Sequence, residues 1–194
     1  LNRELDLKTA KAIAKSGFLE CIIAPAVSEA AKDLFKNKKN LRILELKDLE
    51  PINELDFKRV SGGLLLQDKD LETLDLNKIQ VVTKSKPTKS EMESLIFGWK
   101  VAKHVKSNAI ILTKGRKTVG VGAGQMSRVD SVMIAKKKSG KQSLNTCLAS
   151  DAFFHKEDAV IEAAKAGIKA IIQPGGSISD PEIIKACDKY KVSM

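Results

Sequence analysis

Arginine is scarce in this chain. Among 194 residues carrying a formal net charge of +10, it stands only at positions 3, 42, 59, 116 and 128, so nearly all the positive charge is lysine. Aromatic residues make up 4% of the sequence, whereas a nucleic-acid surface usually interleaves clustered arginine with aromatics. KNKKN (36–40) and AKKKSG (135–140) read as exposed helix ends. The lysines are therefore taken first as solvated faces, second as a general attraction for anionic small molecules, and third as a nucleic-acid contact. Cysteine is equally sparse: Cys21, Cys147 and Cys187 are odd in number, far apart and in no CxxC pair. That argues against a disulfide framework and fits a reducing cytosol. Cys21 and Cys187 lie in apolar patterns and read as small core residues. No HxE…PCxxC, HExxH or Cys/His cluster offers a zinc site, and no GxSxG supports nucleophilic catalysis. No apolar run approaches the ~20 residues of a membrane helix, and the opening LNRELDLKTAKAIAKS lacks the shape of a signal peptide.

What is present is a chain 43% apolar, with charge spread along its length. That is enough for one or two domains with a real core and argues against disorder. Apolar periodicity alternates between helix and strand. A helix is expected over 7–16, closed by Gly17, then a buried strand LECIIAP (19–25). Ser28 is placed to cap the helix SEAAKDLFKN, and LRILEL (41–46) is a further strand. FKRVSGGLLLQ (57–67) reads as two extended pieces around a Gly-Gly bend, IQVVT (79–83) as another strand and KSKPTKS (84–90) as a linker. The longest helix is expected over 91–107. A hairpin over 108–124, a helix over 127–138, the strand TCLAS and a helix over 156–166 follow. The strand IKAIIQP (168–174) leads to a last helix with Pro181 in its first turn.

Residues 12–35 and 160–187 share a frame: a helix ending Ala-Lys-small-Gly, an apolar strand with Ile-Ile, a Pro, and a serine-bearing entry to another helix. Ordinary α/β grammar produces such units too, but the agreement in order favours an internal duplication. The second copy is preceded by a hairpin and a helix that the first copy lacks. The first copy's opening elements are then expected upstream of Leu1, making the chain a fragment.

Three stretches carry candidate chemistry. GVGAGQMSR (120–128) is not the dinucleotide pattern, because Gln125 stands where GxGxxG needs glycine; nor is it a Walker loop. A glycine-bearing strand end feeding a helix through Ser127 and Arg128 suits an anionic or strongly polar ligand. Glycines that simply allow tight packing account for this stretch equally well. QPGGSISDPE (173–182) leaves a strand and can cap the next helix, which is also the chemistry of a ligand edge. In LASDAFFHKED (148–158), Phe153 and Phe154 would face opposite ways in a regular strand; one belongs in the core and the other in a crevice or against a flat ring. His104, beside lysines in the long helix, reads as a surface or partly buried residue.

Taken in order, WKVAKHVKSNAI, VGVGAGQMSR, ASDAFF and IIQPGGS resemble the C-terminal, formyl-transferring half of the bifunctional purine-biosynthesis enzyme 5-aminoimidazole-4-carboxamide ribonucleotide formyltransferase/IMP cyclohydrolase. DFKRVSGGLLLQ and SGFLECIIAP are similar to its bacterial members. The resemblance implies a three-layer α/β fold of two cytidine-deaminase-like units without the deaminase zinc. Residues 1–83 would be the end of a first unit truncated at its N-terminus, 84–90 a linker and 91–194 the second unit. It implies formyl transfer from 10-formyltetrahydrofolate to the nucleotide's 5-amino group, a separate cyclohydrolase domain, a cytoplasmic homodimer, and no nucleic-acid or membrane partner. A deaminase-like hydrolase lacks its zinc ligands here, and a lysine-rich nucleic-acid module would explain only the charge.

Carried over by motif, Glu20, Asn108, Arg128 and Phe153 match nucleotide-contacting positions. Val129, Asp158, Ser177 and Ile178 fall where the family binds folate. Ser107 and Asp151 lie near a monovalent-cation (K+) position known for some members. His155-Lys156 departs from the usual proline after the two phenylalanines, and His155 reads as a loop residue. The family's catalytic Lys-His pair belongs to a KHxxPxG-type segment expected upstream of Leu1, and an Arg-bearing tail is expected beyond Met194, so no catalytic residue is assigned within this chain. The 194-residue polypeptide alone should therefore show no formyl transfer; turnover above background in a folate-coupled absorbance assay would contradict that assignment.

Overall fold

Two short helices open the chain, each begun by a side chain that accepts a hydrogen bond the first turn would otherwise lack. In the computed structural model, which describes residues 1–47 and 54–194, Asp6 Oδ1 accepts from Thr9 N at 2.7 Å ahead of α1 (Leu7–Lys15). Ser28 Oγ accepts from Ala31 N at 3.3 Å ahead of α2 (Glu29–Phe35). Gly17, at φ 110°, carries the chain out of α1 in a conformation that only glycine adopts cheaply. Between the helices runs β1 (Cys21–Ala24), which pairs in parallel with β2 (Arg42–Glu45).

Both helices cover one face of this pair. Ile22 and Ala24 point inward to Leu5, Ala10, Val27, Ala31 and Phe35. Their neighbours Cys21 and Ile23 face outward, as the two-residue period of a strand requires. The expectation of a fully buried strand is thus corrected, and Cys21 is an exposed thiol rather than a core residue. The Gly-Gly bend appears as expected, with β3 (Leu55–Val60) and β4 (Gly63–Asp68) antiparallel around Gly62 at φ 77°. Every residue of this hairpin is exposed.

Leu1–Glu72 and Thr73–Met194 form two compact units. In the second, residues 79–83 are not the expected strand. Val82 N donates to Met194 O at 3.0 Å, and Met194 N donates to Thr83 Oγ1 at 2.9 Å. The apolar alternation there is fixed by the last residue instead of by a ladder. A capping box starts α3 (Lys89–Ala102): Glu91 N donates to Thr88 Oγ1 at 3.2 Å, and Thr88 N donates to Glu91 Oε2 at 2.7 Å. The helix stops at Ala102, short of residue 107, because the His104 and Val105 amides turn to the Val101 and Ala102 carbonyls and tighten the chain into a turn.

A four-stranded mixed sheet follows, in the order β6 (Lys117–Gly122), β5 (Ile110–Lys114), β7 (Cys147–Ser150), β8 (Ala170–Ile172). β5 is antiparallel to both neighbours, and β7 and β8 are parallel. Alternation sorts the strand residues. Ile110, Leu112, Leu148 and Ile171 face a core shared with α4 (Arg128–Ser139), α5 (Asp158–Lys165) and α6 (Asp180–Tyr190). Ile111, Cys147, Ala149 and Ala170 face the α3 side with Leu95 and Ala102. This unit is a three-layer α/β sandwich.

The two stretches that share a sequence frame have the same order of elements. α1, Gly17, β1 and α2 lead to β2, which returns parallel to β1. α5, Gly167, β8 and α6 lead to Ser193, which bridges Ala170 in parallel. No described helix is long and apolar enough to cross a membrane.

Glycine decides how closely α4 approaches the sheet. A Cβ built on Gly120 would lie 2.3 Å from Ala135 O, and one on Gly122 would lie 1.9 Å from Ser131 O. Helix backbone occupies the space that side chains would need. Gly122→Ala should therefore lower stability by at least the ~1–3 kcal/mol typical of overpacking; a thermal midpoint equal to wild type would show that α4 can move away freely.

Candidate functional site

Because β5 runs against both of its neighbours, its amino end meets the carboxyl ends of β6 and β7: Ile110 pairs with Gly122 and with Ser150. The carboxyl end of β8 lies at the same edge, since Ala149 pairs with Ile172. Ligands of α/β sheets commonly bind beyond strand carboxyl ends. Asn108, the 124–128 turn, Ser150 to Phe153 and the loop after Gln173 all leave the sheet at this edge.

Ser127 ends the turn and caps α4, its Oγ accepting from Asp130 N at 3.2 Å. That cap sets Arg128 in the first helical turn, where its side chain turns back over the sheet and is only 8% exposed. Nε donates to Ser150 Oγ at 2.9 Å and one Nη donates to Asp151 Oδ1 at 3.1 Å. The same Asp151 oxygen accepts from Ala109 N at 2.9 Å, and Ser107 Oγ donates to Oδ2. Ser150 Oγ in turn donates to Ala152 O at 2.6 Å.

Asn108 is held from both sides. Its Nδ2 donates to Gln125 O at 2.8 Å and Met126 O at 3.1 Å, while its carbonyl accepts from Ser131 Oγ at 2.8 Å. Two carbonyls fix which way the amide points, so Oδ1 is the group left to accept from a ligand. Val129, next to Arg128, is half-buried against the core rather than turned to the edge. Phe154 is fully buried, and its N–H donates to Gln173 Oε1 at 2.8 Å. Phe153 is half-buried and meets the His155 ring edge-on at 4.9 Å. One phenylalanine thus enters the core and the other stays at the rim, although both lie beyond the end of β7 and outside any strand.

The remaining expected residues are more dispersed. In the loop after β8, Asp180 Oδ2 accepts from Gly176 N at 2.7 Å and Ser177 N at 3.2 Å, so the first residue of α6 ties down the loop, and Ser179 at the helix start makes no side-chain cap. Ile178 stands fully in solvent. Asp158 is exposed at the start of α5, where its Oδ1 accepts from Ala159 N at 2.7 Å. Glu20 belongs to the first unit, exposed just before β1, with its carbonyl accepting from Arg42 N at 2.9 Å. The structure thus brings Ser107, Arg128 and Asp151 into one network, while the Asn108 side chain at the same edge is held separately by the 125–126 turn. The folate-assigned residues do not join it by any hydrogen bond.

Sequence reasoning missed Ser150 and Gln173. Ser150 lies in ASDAFF and Gln173 in IIQPGGS, but neither motif names its partner: the fold brings Ser150 to Arg128 and Gln173 to the Phe154 amide. The glycines of GVGAG also change meaning, because Gly120 and Gly122 make room for α4 rather than for a ligand. Burial pushes the thiols of Cys147 and Cys187 up to about 12, which removes them as nucleophiles at neutral pH.

Burial works against ionisation of Asp151. Donation from Ser107, Ala109 N–H and Arg128, together with the guanidinium charge, outweighs it and holds the carboxyl below its ordinary 3.8. A carboxyl depressed in the folded state adds stability above its unfolded pKa, and that stability is lost as pH falls through the lower folded value. Asp151→Asn should therefore flatten the fall in thermal midpoint as pH drops below about 4; the same slope as wild type would contradict this.

A solved structure of RibD from Acinetobacter baumannii (form 2) is similar over 50% of this chain, at 12% identity and a TM-score of 0.34. The match spans 31% of that protein's length and is too slight to bear on fold or activity. The family described as AICARFT/IMPCHase bienzyme matches residues 1–138. Glu20, Asn108, Arg128 and Val129 lie inside the matched span, and Asp151, Phe153, Asp158, Ser177 and Ile178 lie beyond it. Membership supports a role in purine biosynthesis: this chain belongs to the AICARFT/IMPCHase bienzyme family.

Proposed function

We propose that this chain supplies part of the nucleotide and folate sites for formyl transfer from 10-formyltetrahydrofolate to the 5-amino group of 5-aminoimidazole-4-carboxamide ribonucleotide. The observation that carries the reading is the convergence, at one sheet edge, of a fixed guanidinium and a fixed amide oxygen inside the family-matched span. Arg128 has five N–H donors, and only two are directed at Ser150 and Asp151. Asn108 Oδ1 accepts from an N–H, and the free Arg128 donors meet an oxygen. A planar ring bearing an amine and a carboxamide presents both groups, and Phe153 at the rim offers an aromatic face beside them.

The acceptor amine is conjugated with its ring and is a poor nucleophile. Catalysis must hold it against the formyl carbon, remove its proton and stabilise the tetrahedral oxyanion. In this reading Asn108 and Arg128 perform the first task. The Lys-His pair that the resemblance places upstream performs the other two. Folate would lie along Val129, Asp158, Ser177 and Ile178, with the exposed Ile178 side chain as its apolar contact. A monovalent cation would meet Ser107 Oγ and the remaining lone pair of Asp151 Oδ2, an all-oxygen donor set that suits a hard cation rather than zinc. It takes no part in a chemical step.

The same reading makes the two helix–glycine–strand–helix frames copies of one deaminase-like unit, supported by the parallel return after each second helix. It also makes the protein a cytoplasmic homodimer. The hairpin sets Leu55, Phe57, Leu64 and Leu66 on one face by its register, all exposed, and that face is where such a dimer would cover apolar surface.

Hydrogen bonds to a charged group contribute about 1.5–3 kcal/mol. Arg128→Ala should therefore weaken binding of the ribonucleotide about 10- to 100-fold by isothermal calorimetry. Unchanged affinity would remove Arg128, and with it this placement of the nucleotide.

A further inference from the structure

The nucleotide reading leaves unexplained why the guanidinium is buried and already paired. Arg128 is the first residue of α4, at the positive end of the helix dipole, where a cation is disfavoured. A buried ion pair is also weak evidence for stability, because desolvation offsets much of its attraction. A cation placed at such a point needs another reason to be there.

We propose that Asp151 is a positioning residue for Arg128: with Ser150 it fixes the guanidinium plane before the nucleotide arrives, and it acts on the ligand only through that arginine. This rests on the assignment of Arg128 to the nucleotide.

The network has the form such a role requires. Asp151 is anchored independently of Arg128, by the Ala109 amide at 2.9 Å and the Ser107 hydroxyl, both from the segment entering β5. The Ser150 hydroxyl is oriented independently as well, since its proton goes to Ala152 O at 2.6 Å and its lone pairs remain for Arg128 Nε. Two fixed acceptors on adjacent residues therefore define the plane of the guanidinium. An arginine side chain carries substantial rotamer entropy, and ordering it beforehand removes that cost from binding. The Asp151 carboxylate also offsets the unfavourable charge at the helix start. The side chains are 8% and 15% exposed, so solvent screens the pair little.

The test is a double-mutant cycle on the 194-residue chain, with 5-aminoimidazole-4-carboxamide ribonucleotide as the probe and calorimetry as the readout. Asp151→Asn should weaken binding about tenfold in the wild-type background and less than about twofold in the Arg128→Ala background, because interacting residues are non-additive. The Arg128 Nε–H should exchange with solvent faster in Asp151→Asn by NMR, while the α4 backbone amides keep their protection. If Asp151→Asn fails to fold, Ser150→Ala should show the same dependence on Arg128. A loss that persists undiminished in the Arg128→Ala background overturns the inference, as does wild-type affinity with unaltered Nε–H exchange. Absence of any nucleotide binding by the wild-type chain instead overturns the nucleotide reading, and this inference with it.

Discussion

The contact on which the second unit depends is the seating of α4 on β6. Gly120 and Gly122 let the Ala135 and Ser131 carbonyls occupy positions where side chains would otherwise stand. That approach brings the start of α4 level with the sheet edge, so Arg128 reaches Ser150 and Asp151 across the amino end of β5. It also brings Ser131 Oγ within 2.8 Å of the Asn108 carbonyl. If the helix stood one side-chain layer further out, the guanidinium would fall short of its partners and the 124–128 turn would lose its hold on Asn108. Packing and the candidate site are thus one constraint.

The order of elements was largely legible because period and punctuation agree locally. Ser28 and Ser127 mark helix starts, Gly17 and Gly167 mark exits, and the Gly-Gly pair marks the hairpin bend, whereas the Thr88 cap of α3 lies in the stretch read as a linker. What local pattern could not provide was the number of faces a strand buries. LECIIAP is as apolar as a central strand, yet β1 has helices on one side only, so Cys21 and Ile23 turn outward. IQVVT alternates like a strand but has no ladder partner, and the last residue of the chain holds it. The end of α3 was misplaced because Val101 and Val105 continue the apolar spacing past the point where the backbone tightens.

The candidate site was legible by motif and not by geometry. Asn108, Arg128 and Asp151 could be named because they sit in long, ordered motifs of a recognised family. Their meeting at one sheet edge rests on β5 running antiparallel to β6 and β7, and strand direction is not written in any short stretch. Ser150 shows the limit plainly. It is one small polar residue at a strand end, and its hydrogen bond to Arg128 spans 22 positions of sequence. The glycines show the reverse case, in which a motif suggestive of a ligand turns out to record the passage of a helix.

The reversed strand has a practical corollary for labelling. The turn at Gly115 and Arg116 joins β5 to β6 at the end of the sheet opposite Asn108, and Arg116 there is exposed. The chain therefore offers an attachment point separated by the length of β5 from every side chain in the Arg128 network. A fluorophore or affinity tag grafted into that turn would report on the protein from its far side and leave the ligand edge clear.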